Sequence, residues 1–278
     1  MRALFLLPGD GSVQLQAFAA AAAVAEQLGA EVQVVCPTES TALWGLHPAV
    51  SRSLAFNFAD ASLADWANLL GSVREPDFQL CINRARGRQV NLMLSMSHIP
   101  TRVAAEGFAA TERVASTPSG WPNQNDWEAF LKPIGVGLQA DAFRLSLARA
   151  DLDNAAAELP AGEGPLLLLA PSGEPGDWPQ HQWQALPERV RQQLPSLRCQ
   201  TLGAGSPRQR AARLAIADVV LASDALSMEL ALLLGLPLVA LGRGPESLPP
   251  RQGVKGVGAT GMLPALDQGA VLAALGFS

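Results

Sequence analysis

This chain of 278 residues contains few lysines, histidines and cysteines, and each shortage argues against one kind of binding site or partner. Lysine occurs twice and the formal net charge is −5, so no basic stripe is available and we expect no nucleic-acid partner. The histidines are scattered without the spacing of metal ligands, so we expect no metal site. The cysteines form no Cys-x-x-Cys pair, which is typical of reduced, mostly buried thiols in a cytosolic protein.

Long hydrophobic runs are also missing. No stretch approaches the roughly 18 uninterrupted apolar residues of a membrane-spanning helix, and the N-terminal apolar run stops at Pro8, too early for a signal peptide. We therefore expect a soluble, cytoplasmic protein, with peripheral contact to a membrane surface left open. Apolar residues still make up 49% of the chain, which is enough for a sizeable core.

The first half of the chain alternates strand and helix patterns. Ala3 to Leu7 is a short apolar run, Gln14 to Leu28 is an alanine-rich helix pattern closed by a glycine, and Glu31 to Cys36 is rich in valine. This order predicts a right-handed βαβ unit. Weaker patterns predict helices at 63–73, 88–96 and 140–157, strands at 78–82 and 101–105, and a loop at 115–125.

A Pro-, Gly- and Glu-rich linker at 160–165 is the predicted domain boundary. Beyond it, strand patterns at 166–170, 197–202, 218–222 and 237–241 alternate with helix patterns at 183–193, 208–216 and 226–234. The sequence therefore predicts an α/β protein of two doubly wound Rossmann-like domains, residues 1–160 and 161–278. We expect the two domains to face each other across a cleft, where substrates usually bind.

The turn Gly9-Asp10-Gly11 follows the first strand and admits two interpretations. In the first, the Asp10 carboxylate lies at the sheet edge and acts as a general base on an acceptor hydroxyl. In the second, Asp10 or Ser12 caps the alanine-rich helix by accepting hydrogen bonds from its free amides. The sequence leaves both open, but it excludes the dinucleotide fingerprint because the glycine spacing differs.

A Ser-Gly turn, Ser172-Gly173, follows the leucine strand of the second half. Such a turn lets a phosphate approach the backbone, with the hydroxyl as an extra donor, and the alternative is an ordinary polar loop. Trp178-Pro179 and Trp183 then mark a helix start, because proline fits the first helical turn. The two indoles are interpreted as packing anchors, with ligand stacking as the alternative.

A second strand end carries the polar residues Ser223 and Asp224, and Ser227 and Glu229 open the helix that follows. A helix N-terminus at this place favours an anion, and a carboxylate one turn into the helix can accept hydrogen bonds from ribose hydroxyls. The alternative is a capping box, in which these side chains only close the helix end.

These motifs together resemble the family 9 glycosyltransferases, the heptosyltransferases of lipopolysaccharide core assembly. Gly9-Asp10 is similar to the family's first turn, in which the aspartate is the proposed catalytic base. The second-domain motifs are similar to the family's donor-binding turns, and here they are Ser172-Gly173, Trp178-Pro179 with Trp183, Ser223-Asp224 and Gly235-Leu236-Pro237. The resemblance extends over nearly the whole chain and implies the GT-B fold.

The same resemblance implies a metal-independent transferase with no cofactor. It would move a sugar, in that family a heptose, from a nucleotide-diphosphate donor to lipopolysaccharide or another cell-surface glycan at the inner membrane surface. Asp10 is the implied catalytic base on the acceptor side. The implied donor-binding residues are Ser172, Gly173, Ser223, Asp224, Ser227 and Glu229.

Several positions differ from the family's pattern. Leu226 and Glu229 replace the glycine and the histidine of its Asp-Ser-Gly-Pro-x-His motif, and Gly176-Asp177 replace an expected lysine. The segment between 205 and 217 is short by about one helix–strand unit.

Two alternatives to the transferase therefore stay open. One is a GT-B-shaped binding or scaffold protein without activity, which the replaced residues favour. The other is a nucleotide-sugar epimerase or hydrolase, for which His98 and Glu106 are the nearby candidates in the first half.

Overall fold

The computed structural model describes residues 1–75, 77–114, 119–160 and 162–277, and it divides into two compact units, Met1–Phe143 and Arg144–Ser278. Each unit is built on one parallel sheet. Residues 115–118 of the expected loop and residue 161 of the expected linker lie outside the described residues.

The first unit contains a six-stranded parallel sheet. Its strands are β1 (Arg2–Leu6), β2 (Glu31–Cys36), β3 (Val50–Ala55), β4 (Leu80–Asn83), β5 (Thr101–Ala104) and β6 (Glu112–Arg113), and their order in the sheet is β3-β2-β1-β4-β5-β6. Its helices are α1 (Gly11–Gln16), α2 (Phe18–Leu28), α3 (Thr41–Trp44), α4 (Leu63–Arg74), α5 (Arg88–Met96) and α6 (Pro122–Leu131).

Strand β1 is covered on both faces. Leu4 and Leu6 pack in one apolar cluster with α4 and α5, whereas the ring of Phe5 lies 5.9 Å from that of Trp127 in α6. Successive side chains of a strand point to opposite faces, so a strand between two helical layers needs a continuous apolar run. That requirement explains the run at the start of the sequence.

The second unit repeats this plan with five parallel strands. They are β7 (Leu166–Ala170), β8 (Arg198–Thr201), β9 (Val219–Ala222), β10 (Leu238–Leu241) and β11 (Val254–Val257), in the order β11-β10-β9-β7-β8. The helices are α7 (Arg149–Ala157), α8 (Gln180–Gln193), α9 (Pro207–Ala215), α10 (Ala225–Leu234) and α11 (Gln268–Leu275).

The chain reverses direction across this second sheet after β8. Because parallel crossovers are right-handed, the steps β7 to β8 and β8 to β9 place α8 and α9 on opposite faces. Leu167 and Leu169 accordingly pack with Trp183 of α8, and α9 packs on α10 and α7. The predicted α/β class, with two doubly wound parallel sheets, is confirmed.

Several predicted element limits differ from the structure. The helix expected at 14–28 begins at Gly11 and is divided into α1 and α2 at Ala17. Within the stretch expected to be a loop, α6 begins at Pro122, which suits a first helical position. The helix expected at 140–157 is confined to α7, because the Leu145 amide donates to the Leu233 carbonyl at 2.8 Å instead of entering a helix.

The unit boundary lies before α7, whereas we predicted it after this helix, at 160/161. Two ion pairs join α7 and its end to α9, between Asp151 and Arg208 at 3.2 Å and between Glu158 and Arg213 at 2.8 Å. These contacts, which link residues more than fifty positions apart, place α7 with the second sheet.

Three further observations bear on the expectations from composition. None of the helices in the described ranges is both long and apolar enough to cross a membrane. All three cysteines are free thiols: Cys36 and Cys81 are buried, and Cys199 is half-buried. Within the same ranges, no group of three or more His, Cys, Asp and Glu side chains could hold a metal ion.

Candidate functional site

Asp10 lies in the turn that follows β1, at the carboxyl edge of the first sheet, and caps α1. Its Oδ1 accepts three hydrogen bonds, from the amide of Ser12 at 3.0 Å, the hydroxyl of Ser12 at 2.7 Å and the amide of Val13 at 3.1 Å. Its Oδ2 accepts none from the described residues. The helix cap therefore uses one carboxylate oxygen and leaves the other for a second task.

The ionisation of Asp10 follows from the same contacts. Burial opposes the charge, but the hydrogen bonds from Ser12 and Val13 outweigh it and hold the pKa of Asp10 below its usual value. Asp10 is therefore a carboxylate at neutral pH and is available to accept a proton.

A cavity of about 850 Å³ opens beside Asp10 within the first unit. Its lining includes Asp10, Thr38, Asn57, Trp66, Arg84 and Arg86. Except for Trp66 of α4, these side chains follow the ends of β1, β2, β3 and β4, the edge at which open α/β sheets bind ligands.

Gln14, which the sequence reasoning missed, supports the Asp10 turn from below. It is fully buried; its Nε2 donates to the carbonyls of Leu7 at 2.9 Å and Gly9 at 3.2 Å, and its Oε1 accepts from Trp44 Nε1 at 2.9 Å. Gly9 has φ +108, and a Cβ there would meet Val13 at 3.0 Å, so the turn needs glycine.

We expect Gln14→Leu to lower the free energy of unfolding by about 2–3 kcal/mol, because it leaves buried donors and acceptors without partners. Denaturant unfolding of both proteins measures the loss. Adding Trp44→Phe removes the unpaired indole N–H and should recover part of it, as a double-mutant cycle would reveal. An unchanged midpoint for Gln14→Leu would contradict this role.

Arg84 and Arg86 follow β4 and were also missed. The guanidinium of Arg84 lies 5.2 Å from the ring centre of Trp127 and 4.8 Å from that of Phe130, and its Nη1 is buried without a hydrogen-bond partner among the described residues. Both arginines also line an adjoining cavity of about 410 Å³. The available sequence signal was the pair of arginines at a strand end.

In the second unit, β7 and β9 are neighbours, so the turns that follow them meet. The amide of Ser172 donates to Ser223 Oγ at 2.9 Å, and the amides of Ser223 and Asp224 donate to the Ala170 carbonyl at 3.0 and 3.2 Å. The structure therefore brings Ser172, Ser223 and Asp224 together at one sheet edge. This is expected because neighbouring parallel strands end at the same edge of a sheet.

The Ser172-Gly173 turn uses its backbone amides within the protein. The Gly173 amide donates to Asp177 at 3.0 Å, while the Ser172 hydroxyl accepts from the Glu174 amide at 3.3 Å and has no described acceptor for its own hydrogen. A Cβ at Gly173 would meet nothing within 4 Å, so open space lies beside it. Within this turn, the Ser172 hydroxyl is therefore the group that stays free to donate to a phosphate.

Asp224 caps α10 and also forms an ion pair that was not anticipated. Its Oδ2 accepts from the amide of Ser227 at 2.9 Å, from the hydroxyl of Ser227 at 2.5 Å and from Arg210 Nη1 at 2.8 Å. Ser227 is fully buried inside this network. The cap interpretation thus holds at Asp224, and a direct ligand contact by Ser227 stays a prediction.

Glu229 lies about one helical turn after Ala225, the first residue of α10, and is 0% exposed. Its Oε1 lies 2.7 Å from Nη1 of Arg243, which follows β10 and is 18% exposed. A Glu229 contact with ribose, as the resemblance implies, therefore requires Arg243 to share or release this carboxylate.

Trp178 and Trp183 behave as packing anchors. Their rings are buried and edge-to-face, with centres 5.2 Å apart, and Trp178 Nε1 donates to the Leu266 carbonyl at 3.0 Å. A cavity of about 860 Å³ lies beside them, between α8, β8 and the turn at Gly173.

No family sequence model and no curated protein sequence matches the chain. Among solved structures, the family 9 glycosyl transferase from Veillonella parvula DSM 2008 is similar at a TM-score of 0.76 and 12% identity, with 99% of this chain and 96% of that chain covered. E. coli ADP-heptose LPS heptosyltransferase II has a TM-score of 0.76 at 17% identity and 99% and 98% coverage. E. coli heptosyltransferase WaaC, solved with ADP-2-deoxy-2-fluoro heptose, has a TM-score of 0.70 at 15% identity, with 99% of both chains covered.

This likeness defines the chain as an α/β protein with a GT-B-like fold. More particularly, the fold is the one found in the family 9 heptosyltransferases, which confirms the fold that the sequence resemblance implied. At such low identities the likeness concerns the fold, and activity is a separate question.

Proposed function

We propose that this protein is a glycosyltransferase that moves a sugar from a nucleoside-diphosphate donor to a hydroxyl of a cell-surface glycan. Heptose as the sugar and lipopolysaccharide as the acceptor are the first candidates, because similar structures include E. coli heptosyltransferases, one of them solved with an ADP-heptose analogue. The observation that carries the proposal is the Asp10 carboxylate, which holds its turn with Oδ1, keeps Oδ2 free and lines a cavity.

In the proposed reaction, Asp10 removes the proton of the acceptor hydroxyl as that oxygen attacks the anomeric carbon of the donor sugar. The bond from this carbon to the diphosphate breaks, and the nucleoside diphosphate leaves with the electron pair. The Ser172 hydroxyl and the first amides of α10, at Ala225 and Leu226, stabilise the departing charge. These two amides have no acceptor in the part of the chain that the structure describes.

The proposal assigns the donor to the second unit and the acceptor to the first. It needs neither a metal nor a cofactor, because amide, hydroxyl and guanidinium donors can neutralise a diphosphate. It also places the protein in the cytoplasm, with a lipid-linked acceptor reached at the inner membrane surface.

The test is calorimetry with ADP-, UDP-, GDP- and dTDP-sugars, followed by nucleotide release with lipopolysaccharide-core acceptors. We expect one donor to bind with a dissociation constant between about 1 µM and 1 mM and to release its nucleotide faster when acceptor is added. A protein that binds none of them is a scaffold. A changed sugar or released nucleotide without acceptor would identify an epimerase or hydrolase instead.

A further inference from the structure

The three arginines of α9 have different partners. Arg208 pairs with Asp151 of α7, and Arg213 pairs with Glu158 at the end of α7. Arg210 instead lies against the start of α10, where its Nη1 donates to Asp224 Oδ2 at 2.8 Å and to Ser227 Oγ at 2.9 Å. One arginine of this helix is thus directed to the strand-end residues that the proposed function assigns to the donor.

The guanidinium of Arg210 is only partly engaged. The two hydrogen bonds occupy both hydrogens of Nη1, while Nε and Nη2 bond to no residue in the described ranges. The side chain keeps 24% of its surface exposed, so a ligand can reach it. Nε–H and one Nη2–H point the same way on one edge of the planar group, which matches two oxygens of a phosphate.

The groups around Arg210 suit the binding of an oxyanion rather than of a cation. Asp224 fixes the orientation of the guanidinium, and the free amides of Ala225 and Leu226 follow it in the chain. Ser223, the residue before Asp224, accepts from the amide of Ser172, whose hydroxyl is also free to donate. Hydrogen-bond donors from three separate segments therefore lie near the end of β9.

We propose that Arg210 is a binding residue for the donor diphosphate, with Nε and Nη2 holding two oxygens of one phosphate. This inference rests on the proposed function and adds to it a source of positive charge for the donor diphosphate. A lysine expected before Trp178 is replaced here by Gly176-Asp177, and Arg210 supplies the missing charge from helix α9 instead.

The test compares binding of nucleoside diphosphates (ADP, UDP, GDP and dTDP) and of inorganic pyrophosphate by calorimetry for the full chain and three variants. Pyrophosphate isolates the phosphate contact from the base and the sugar. We expect Arg210→Gln to weaken binding of both kinds of ligand by about tenfold or more, because a charge-assisted bidentate contact is lost. Arg210→Lys, which keeps the charge without the fork, should be intermediate, and the exposed Arg208→Gln on the same helix should bind like the wild type.

Salt dependence separates binding from a merely structural role. Removing a charge that touches the ligand makes affinity less sensitive to added KCl, whereas loosening the helix cap does not. If the wild type binds pyrophosphate or any of these nucleoside diphosphates and Arg210→Gln binds equally well, the Arg210 assignment is wrong while the proposed function survives. If the wild type binds no nucleoside diphosphate and no pyrophosphate, both fail. Should Arg210→Gln not fold, wild-type affinity in Arg210→Lys rejects the assignment, and reduced affinity supports it.

Discussion

Replacing Asp10 by asparagine should lower the turnover number about a hundredfold or more, with donor affinity nearly unchanged. Asparagine keeps an oxygen that accepts from Ser12 and Val13, so the helix cap and the turn persist. It cannot take a proton, so the chemical step loses its base. Transfer rates at saturating donor and acceptor, together with donor calorimetry, measure the two quantities separately.

The pH profile gives a second signature of the same carboxylate. Activity needs the ionised form, and hydrogen bonds hold the pKa of Asp10 below its usual value despite the opposing effect of burial. Activity should therefore persist from neutral into mildly acidic solution and decline only as the pH falls through that lowered pKa. The asparagine variant should lack this decline, and Asp10→Ala should additionally lose the cap. Full turnover in Asp10→Asn would show that Asp10 is not the general base.

Breaking the buried pair between Glu229 and Arg243 should have the largest effect on stability. We expect Arg243→Met to lower the free energy of unfolding by about 3 kcal/mol, because the fully buried Glu229 carboxylate loses a charged partner 2.7 Å away. Urea unfolding monitored by tryptophan fluorescence measures the change.

Two controls define this effect. Arg208→Met removes an exposed arginine from an ion pair and should change stability by less than about 1 kcal/mol. Adding Glu229→Met to Arg243→Met removes the buried carboxylate as well, so the double variant should be more stable than Arg243→Met alone. If the double variant has the lower free energy of unfolding of the two, groups other than Arg243 stabilise the Glu229 carboxylate.

Much of the fold could be predicted because its signals are local. The central strands β1 and β7 are buried on both faces, and each therefore appears in the sequence as an unbroken apolar run. Helix limits at α5 and α10 were predicted to within a residue, since glycine lies next to an end of each. The turns at Asp10, Ser172 and Ser223 were predicted because each comes soon after an apolar strand pattern, at the ends of β1, β7 and β9.

Features that depend on distant partners were not predicted. Strand β3 is a half-exposed edge strand with the sequence Val-Ser-Arg-Ser-Leu-Ala, and only its pairing with β2 makes it a strand. Helix α7 belongs to the second unit because of its ion pairs with α9, which no local pattern reveals. Gln14 resembles a surface residue of a helix until the fold buries it under the Asp10 turn.

The sequence by itself determined the α/β class, the position of Asp10 after the first strand and the small polar residues at two later strand ends. Only the tertiary structure decided how these side chains are used, because each contact joins residues from separate segments: Ser172 with Ser223, Asp224 with Arg210, and Glu229 with Arg243. The local sequence specifies which residues follow the end of a strand. The order of strands in the sheet specifies which of those residues meet.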